Sequence, residues 1–285
     1  MSRLLDELAR DPVLEARLAQ HYPGTIYAFS RVPSTMDVAH QVAADGATEG
    51  TLIFAARQEQ GRGRLGRRWE SPAGGAYCSL ILRPTRPPAE IPQLSLVAGL
   101  GVAEAIRQVA DLSPTIRWPN DVLVEGRKLA GILIEASVQR LADSVQNYVV
   151  IGVGINVSTH ARELPESATS LLEALRSSST LNAVRYPLDP VALTGRLCRR
   201  IRAWYDVWSA QGFSPIRDAV RPFISLFGQM VRMTTNQRGA DSVQRIETTT
   251  IEGQAIDIDE AGRLVVRLDS GLLRAFTMGE VTLLR

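Results

Sequence analysis

Two segments of this 285-residue chain carry side chains able to hold and polarise an anion. The first is Gly61-Arg62-Gly63-Arg64-Leu65-Gly66-Arg67-Arg68-Trp69. Its glycines let backbone N–H groups approach a ligand closely. Its arginines can fork onto phosphate or carboxylate oxygens, and Trp69 offers a flat face to a base. The run contains a literal G-x-G-x-x-G, but a dinucleotide fingerprint needs a helix that starts in the glycine loop. Here Pro72, Gly74 and Gly75 follow at once and the next element reads as a strand, so that match is rejected. Taken alone, the loop reads as a small-anion site ahead of a solvated Arg/Gly loop or an RNA-binding segment, because it is single and lies between two strands.

The second segment is Arg117-Trp118-Pro119-Asn120-Asp121, followed by Glu125 to Glu135. Two strands joined by a hairpin place Asn120 and Asp121 near one end and Lys128 at the next turn. Of the 32 basic residues, 31 are arginine and only Lys128 is lysine. An ammonium is a compact point charge with rotatable donors, whereas guanidinium is a broad planar fork. A position that keeps lysine against that bias is therefore a candidate for chemistry. The competing reading is a surface hairpin with Asn-Asp as turn formers. Two weaker signals join these. Val150-Ile151-Gly152-Val153-Gly154-Ile155-Asn156 puts glycines in an apolar strand, which marks close backbone approach or plain packing. Ser34-Thr35 opens a helix, and the same N-terminus that needs a cap can receive an anion.

These residues need elements to position them. A helix is expected within residues 3–20 and a strand over 25–29. Ser34-Thr35-Met36-Asp37 fits a capping box opening a helix to about Ala44, closed by Gly46. Strands are expected over 51–56, 77–82, 116–118, 122–125, 129–136 and 148–157. Helices are expected over 94–110, 168–175 and 190–210. After about Arg221 the chain turns to short alternating strands (230–235, 248–257, 263–268, 272–276 and 281–284), which suggests a small barrel appended to an α+β domain. The expected organisation is a helical extension over 1–24, a catalytic domain over 25–221 and a C-terminal domain over 222–285.

Composition sets the outer limits. Hydrophobic residues make up 45% and charged residues 22%, with 22 Gly and 15 Pro, which excludes collagen, coiled coil and bulk disorder. A net charge of +2 offers no argument for a nucleic-acid coat or a membrane anchor. Cys78 and Cys198 match no metal or redox spacing, and His21, His40 and His160 stand apart, so no metal site is expected. The start of the chain has no signal-peptide core and no membrane span is expected, which makes the cytoplasm the simplest compartment.

In this order, the segments resemble the biotin–protein ligases. The matching pieces are Ser34-Thr35, Gln58 with Gly61 to Arg67 and Trp69, Trp118-Pro119-Asn120-Asp121, Lys128-Leu129-Ala130-Gly131-Ile132-Leu133, Gly152-Val153-Gly154-Ile155-Asn156, and Gly279-Glu280-Val281 with the final Arg285. The resemblance implies a mixed-sheet α+β catalytic domain related to class II tRNA synthetases and lipoate ligases, with a small SH3-like C-terminal domain. It implies a biotin site formed by Ser34, Thr35, Met36, Gln58, Arg62, Gly63, Arg64, Lys128 and Gly131. It implies an ATP site with Arg64, Trp69, Asn120, Asn156 and Arg285, and a catalytic group of Lys128, Arg64 and Asp121. The family usually has Ser-Thr-Asn, and Met36 stands where that Asn belongs, leaving a backbone contact there. ATP and biotin are the implied substrates, with Mg²⁺ accompanying the nucleotide. The implied partner is the biotin carboxyl carrier domain of a carboxylase. Some members of the family carry an N-terminal DNA-binding domain. The 24 residues before the first strand are too few for one, so no operator binding is expected, and a monomer or weak homodimer is. The arginine loop is expected to be mobile without ligand and to order over the adenylate. The nearest rivals are a lipoate or octanoate ligase on the same fold and a non-catalytic Arg/Gly binding module.

Overall fold

In a computed structural model, residues 8–141, 144–177, 188–238 and 246–284 are described. Among the described residues before the first strand there is one short helix, α1 (Pro12–Ala19), capped by the Asp11 carboxylate and started by a proline at its first turn. Strand β1 (Ile26–Phe29) follows, then α2 (Thr35–Ala44), which Ser34 caps through its Oγ on the Met36 N–H at 3.3 Å. The box partner expected at Asp37 points elsewhere, to Arg62. Strands β2 (Leu52–Ala55) and β3 (Gly75–Leu82) flank the arginine loop. The long helix α3 (Leu94–Val109) then leads into β4 (Thr115–Arg117), β5 (Asp121–Val124), β6 (Arg127–Leu141) and β7 (Ser144–Asn156).

These seven strands form one sheet in the order β1-β2-β3-β7-β6-β5-β4. The β1–β2 pair is parallel and the other pairs are antiparallel, so the sheet is mixed. Strand β3 is buried along its whole length, and its residues divide between the two faces. Phe54, Cys78 and Leu80 face the cluster that holds α3, and Ile53, Ile81 and Val150 pack with Met36, Val38 and Val42 of α2. Helix α4 (Leu171–Ser177) and the 22-residue α5 (Pro190–Gln211) complete the first layer, with Leu193, Leu197, Ile201 and Trp208 on the buried stripe of α5. The stretch Pro88–Val109 is long and apolar enough to cross a membrane, but two-thirds of its most apolar window is buried against this core. Helix α6 (Ser214–Val220) has no counterpart among the expected elements, since seven residues carry too little periodicity to read.

Beyond α6, β8 (Met230–Arg238), β9 (Ile246–Ile258), β10 (Leu264–Arg267), β11 (Leu273–Phe276) and β12 (Glu280–Leu283) make a second, antiparallel sheet in the order β11-β10-β9-β8-β12. Its inward residues, among them Val231, Ile258 and Leu264, belong to the same hydrophobic cluster as α3 and α5. Trp118 seals the junction: it is buried and its indole N–H donates to the Gly262 carbonyl at 3.1 Å. The two cysteines, 120 positions apart, are free thiols with their sulfurs 3.9 Å from each other between β3 and α5. Burial and the neighbouring Cys78 push the Cys198 thiol well above its ordinary pKa.

Candidate active site

The site is built on two glycines that face each other across β6 and β7. Gly131 and Gly154 are register partners, and the Trp69 ring lies on both. A Cβ at Gly131 would meet the ring at 2.8 Å, and one at Gly154 would meet it at 2.5 Å. On one side of this floor, Gly152 leaves room for the Met36 thioether, whose sulfur would stand 2.5 Å from a Cβ there. These positions need glycine for space, because a ring and a side chain lie flat against backbone.

Around the floor the polar groups are held in an ordered set. Gln58 Oε1 accepts from both the Thr35 N–H at 2.8 Å and the Thr35 hydroxyl at 3.0 Å, and its Nε2 donates to Ser71 Oγ at 2.9 Å. Ser79 in turn donates to Thr35 Oγ1 at 2.9 Å. Arg64 donates to Asn120 Oδ1 at 2.8 Å, and Asn120 Nδ2 donates to the Ile132 carbonyl at 3.1 Å. Burial lowers the pKa of the Arg64 guanidinium, opposed by the nearby Asp121 and Glu280 carboxylates. Lys128 Nζ lies 2.6 Å from Asp121 Oδ1 and 5.2 Å from the centre of the Trp69 ring. Asp121 Oδ2 pairs with Arg117 at 2.7 Å. The position of Lys128 is fixed by its backbone, whose N–H donates to the Ser167 carbonyl at 2.9 Å and whose carbonyl accepts from the Thr169 N–H at 2.9 Å.

Thr35, Met36, Gln58, Arg62, Gly63, Arg64, Trp69, Asn120, Lys128 and Gly131 thus line one cavity of about 50 Å³. A cleft of about 290 Å³ adjoins it, walled by Arg64, Trp69, Arg117, Asp121 and Lys128 on one side and by Gly279 to Thr282 of the second sheet on the other. Arg67 closes the top of that cleft through an ion pair with Glu280. The loop itself is a tight bridge: Trp69 N–H donates to Gly61 O at 2.9 Å and Gly63 N–H to Arg67 O at 2.7 Å.

Other residues in the sequence-derived set fall outside the cavity wall. Ser34 is fully buried as the cap of α2. Asn156 is buried at the end of β7, where its amide donates to the Thr169 carbonyl at 3.0 Å and so ties down the segment that follows. Arg285 lies outside the described residues. Arg62 lines the cavity, but its guanidinium pairs with Asp37 and Glu135, neither of which lines it. Sequence reasoning missed Arg117, Ser71 and Ser79. Arg117 sits next to Trp118 in a segment already singled out, so its charge was the available signal. A serine that orients a glutamine across strands leaves no local mark.

Residues 28–156 match the model of the biotin/lipoate A/B protein ligase family, and residues 242–284 match the biotin protein ligase C-terminal domain. The bifunctional ligase/repressor BirA of Bacillus subtilis is 32% identical over 245 residues, covering 86% of this chain and 70% of that protein. The biotin–[acetyl-CoA-carboxylase] ligase of Mycobacterium tuberculosis is 33% identical, covering 85% of this chain and 83% of the relative. Among solved structures, the biotin protein ligase of Aquifex aeolicus in complex with biotin and ATP superposes with a TM-score of 0.69 at 27% identity, over 92% of this chain and 99% of that one. The chain belongs to the biotin/lipoate A/B protein ligase family, and within it to the biotin–protein ligases.

Proposed function

We infer that this chain activates biotin with ATP and passes the biotinyl group to a lysine of a biotin carboxyl carrier domain. The observation that carries this reading is the seam at Arg64 and Lys128. One half-buried guanidinium and the chain's only lysine meet between a cavity lined by Thr35, Met36 and Gln58 and a cleft beside Trp69 and Asn120. In the first step a carboxylate oxygen of biotin attacks the α-phosphorus of ATP and pyrophosphate leaves, giving a mixed anhydride. Negative charge builds on the oxygens at the seam, and fixed cations in a water-poor site stabilise that charge most. Arg64 is held toward it by Asn120, and Lys128 by Asp121 and the Trp69 face. In the second step the acceptor amine attacks the anhydride carbonyl, AMP leaves, and the nitrogen loses a proton.

Biotin would sit on the side of Thr35, Met36, Gln58 and Gly131, and the nucleotide in the cleft that the second sheet closes. Mg²⁺ arriving with ATP would screen the triphosphate. The cavity and the cleft share Gly63, Arg64 and Trp69 of the arginine loop, so the loop borders the places of both ligands, which supports its closure over the bound adenylate.

The deciding experiment is ATP–pyrophosphate exchange with biotin, lipoate and octanoate in parallel, together with tryptic cleavage of loop 61–69. Exchange is expected with biotin alone, and biotin plus ATP should slow cleavage at Arg67 and Arg68. Exchange with lipoate or octanoate instead would move the substrate to that acid. Equal cleavage with and without ligands would remove the closing role of the loop.

A further inference from the structure

We propose that Arg62 is the peg of the arginine loop rather than one of its charge stabilisers, that Asp37 and Glu135 are positioning residues holding its guanidinium outside the cavity, and that His40 makes this hold pH-dependent. The inference rests on the biotin-ligase reading of the adjoining cavity.

Arg62 and Arg64 are two residues apart, yet their guanidiniums face different surroundings. Arg64 is half-buried and turned to Asn120. Arg62 is clamped from two elements at once: NH1 lies 3.0 Å from Asp37 Oδ1 on α2, and NH2 pairs with Glu135 Oε2 on β6. A single exposed ion pair contributes little. One guanidinium bridging a helix and a strand, however, fixes the loop's first turn relative to both. A guanidinium already matched by two carboxylates is a poor choice to neutralise a third anion, so the charge work falls to Arg64 and Lys128.

The same Oε2 of Glu135 also meets His40 Nε2 at 2.8 Å. The groups facing His40 are Glu135 from β6, Tyr148 from β7, and Asp37 and Arg62 through the shared cluster. Arg83 lies behind, its guanidinium 5.9 Å over the Tyr148 ring. With a neutral imidazole the cluster of Asp37, Glu135 and Arg62 carries one surplus negative charge, which holds Arg62. Protonating His40 removes that surplus and places a second cation on the oxygen Arg62 uses. The network accommodates both states. Tyr148 Oη stands 3.3 Å from His40 Nδ1 and can donate there when the ring is neutral. It can instead donate to the His40 carbonyl, also at 3.3 Å, when Nδ1 carries a proton.

The test measures KM for biotin and kcat in pyrophosphate exchange at about pH 8 and about pH 6, with amide hydrogen exchange over residues 61–69 of the ligand-free protein. Glu135→Gln and Asp37→Asn, on different elements, should each raise the biotin KM about five- to tenfold with kcat nearly unchanged, and speed loop exchange. Glu135→Asp should restore part of the loss. The wild type should lose biotin affinity and loop protection toward pH 6, and His40→Gln should remove that change. Unaltered KM and loop exchange in both carboxylate variants, or the wild-type pH response persisting in His40→Gln, would overturn the proposal. Absence of biotin-dependent exchange in the wild type would sink the functional reading instead, and amide exchange would still decide the peg.

Discussion

Strands β6 and β7 and the loop 61–69 border the same cavity, but they are held by different forces. The strands pair over twelve consecutive register positions, and Ile132, Val153 and Ile155 are buried in the core. The loop hangs on its own short bridge and on charged contacts to Asp37, Glu135, Asn120 and Glu280. Its Leu65 is 62% exposed and adopts φ +56, a conformation that a leucine rarely takes. Core packing is rigid and little affected by salt, whereas surface ion pairs weaken as salt rises. A site that must admit and then enclose a ligand gains from that division: the floor keeps the geometry and the rim can open.

The comparison breaks most sharply at Lys128, the one cation supplied by the floor. Lys128→Arg should lower adenylate formation about 10²-fold or more, because the broader fork cannot sit both on Asp121 and over the Trp69 face. Single-turnover formation of the adenylate checks this, and near-normal turnover would remove Lys128 from the chemistry.

A smaller effect is expected where floor meets rim. In Gly154→Ala the new methyl falls 2.5 Å from the Trp69 indole, so the ring must lift and with it the base of the loop. Activity should fall about tenfold, with unfolding shifted by no more than about 1 kcal/mol, since a strand gains from losing a glycine. Gly126→Ala is the control. It has φ +74 and no atom within 4 Å of the added carbon, so it should cost stability and leave kcat alone.

The smallest effect belongs to the core itself. Burial raises the pKa of Tyr22, Tyr77, Tyr205 and Cys198 in the folded state. Groups raised in this way stabilise fully below their unfolded pKa, ordinarily 10.0 for tyrosine and 9.0 for cysteine, and lose that contribution as pH climbs toward the folded value. Urea midpoints should be level from neutrality to about pH 8 and then decline between about pH 9 and 11. A midpoint that rises over that range would contradict the burial of these groups.

Much of the molecule was readable in order along the chain. The helix at α2, the long helices α3 and α5, the hairpin carrying Lys128 and the five C-terminal strands all come from periodicity, caps and turn residues, which act over a few positions. The candidate site was legible as a set of residue types because glycines, a lone lysine and clustered arginines stand out against the background composition. Its internal wiring was not. Asp37 read as part of a cap and proved to be a partner of Arg62. Asn156 read as a ligand contact and holds Thr169. Cys78 and Cys198 read as unrelated and lie 3.9 Å apart.

The sequence by itself determined most of the elements, the α+β class and the chemistry on offer, since local spacing and residue type decide those. Only the tertiary structure decided which cation faces the seam and which faces outward. That choice depends on strands β3, β6 and β7 meeting in one register beside α2, and on which carboxylates this pairing brings within reach of each arginine. Charges attract whatever partner the fold places nearest, and that distance is not written in the order of the residues.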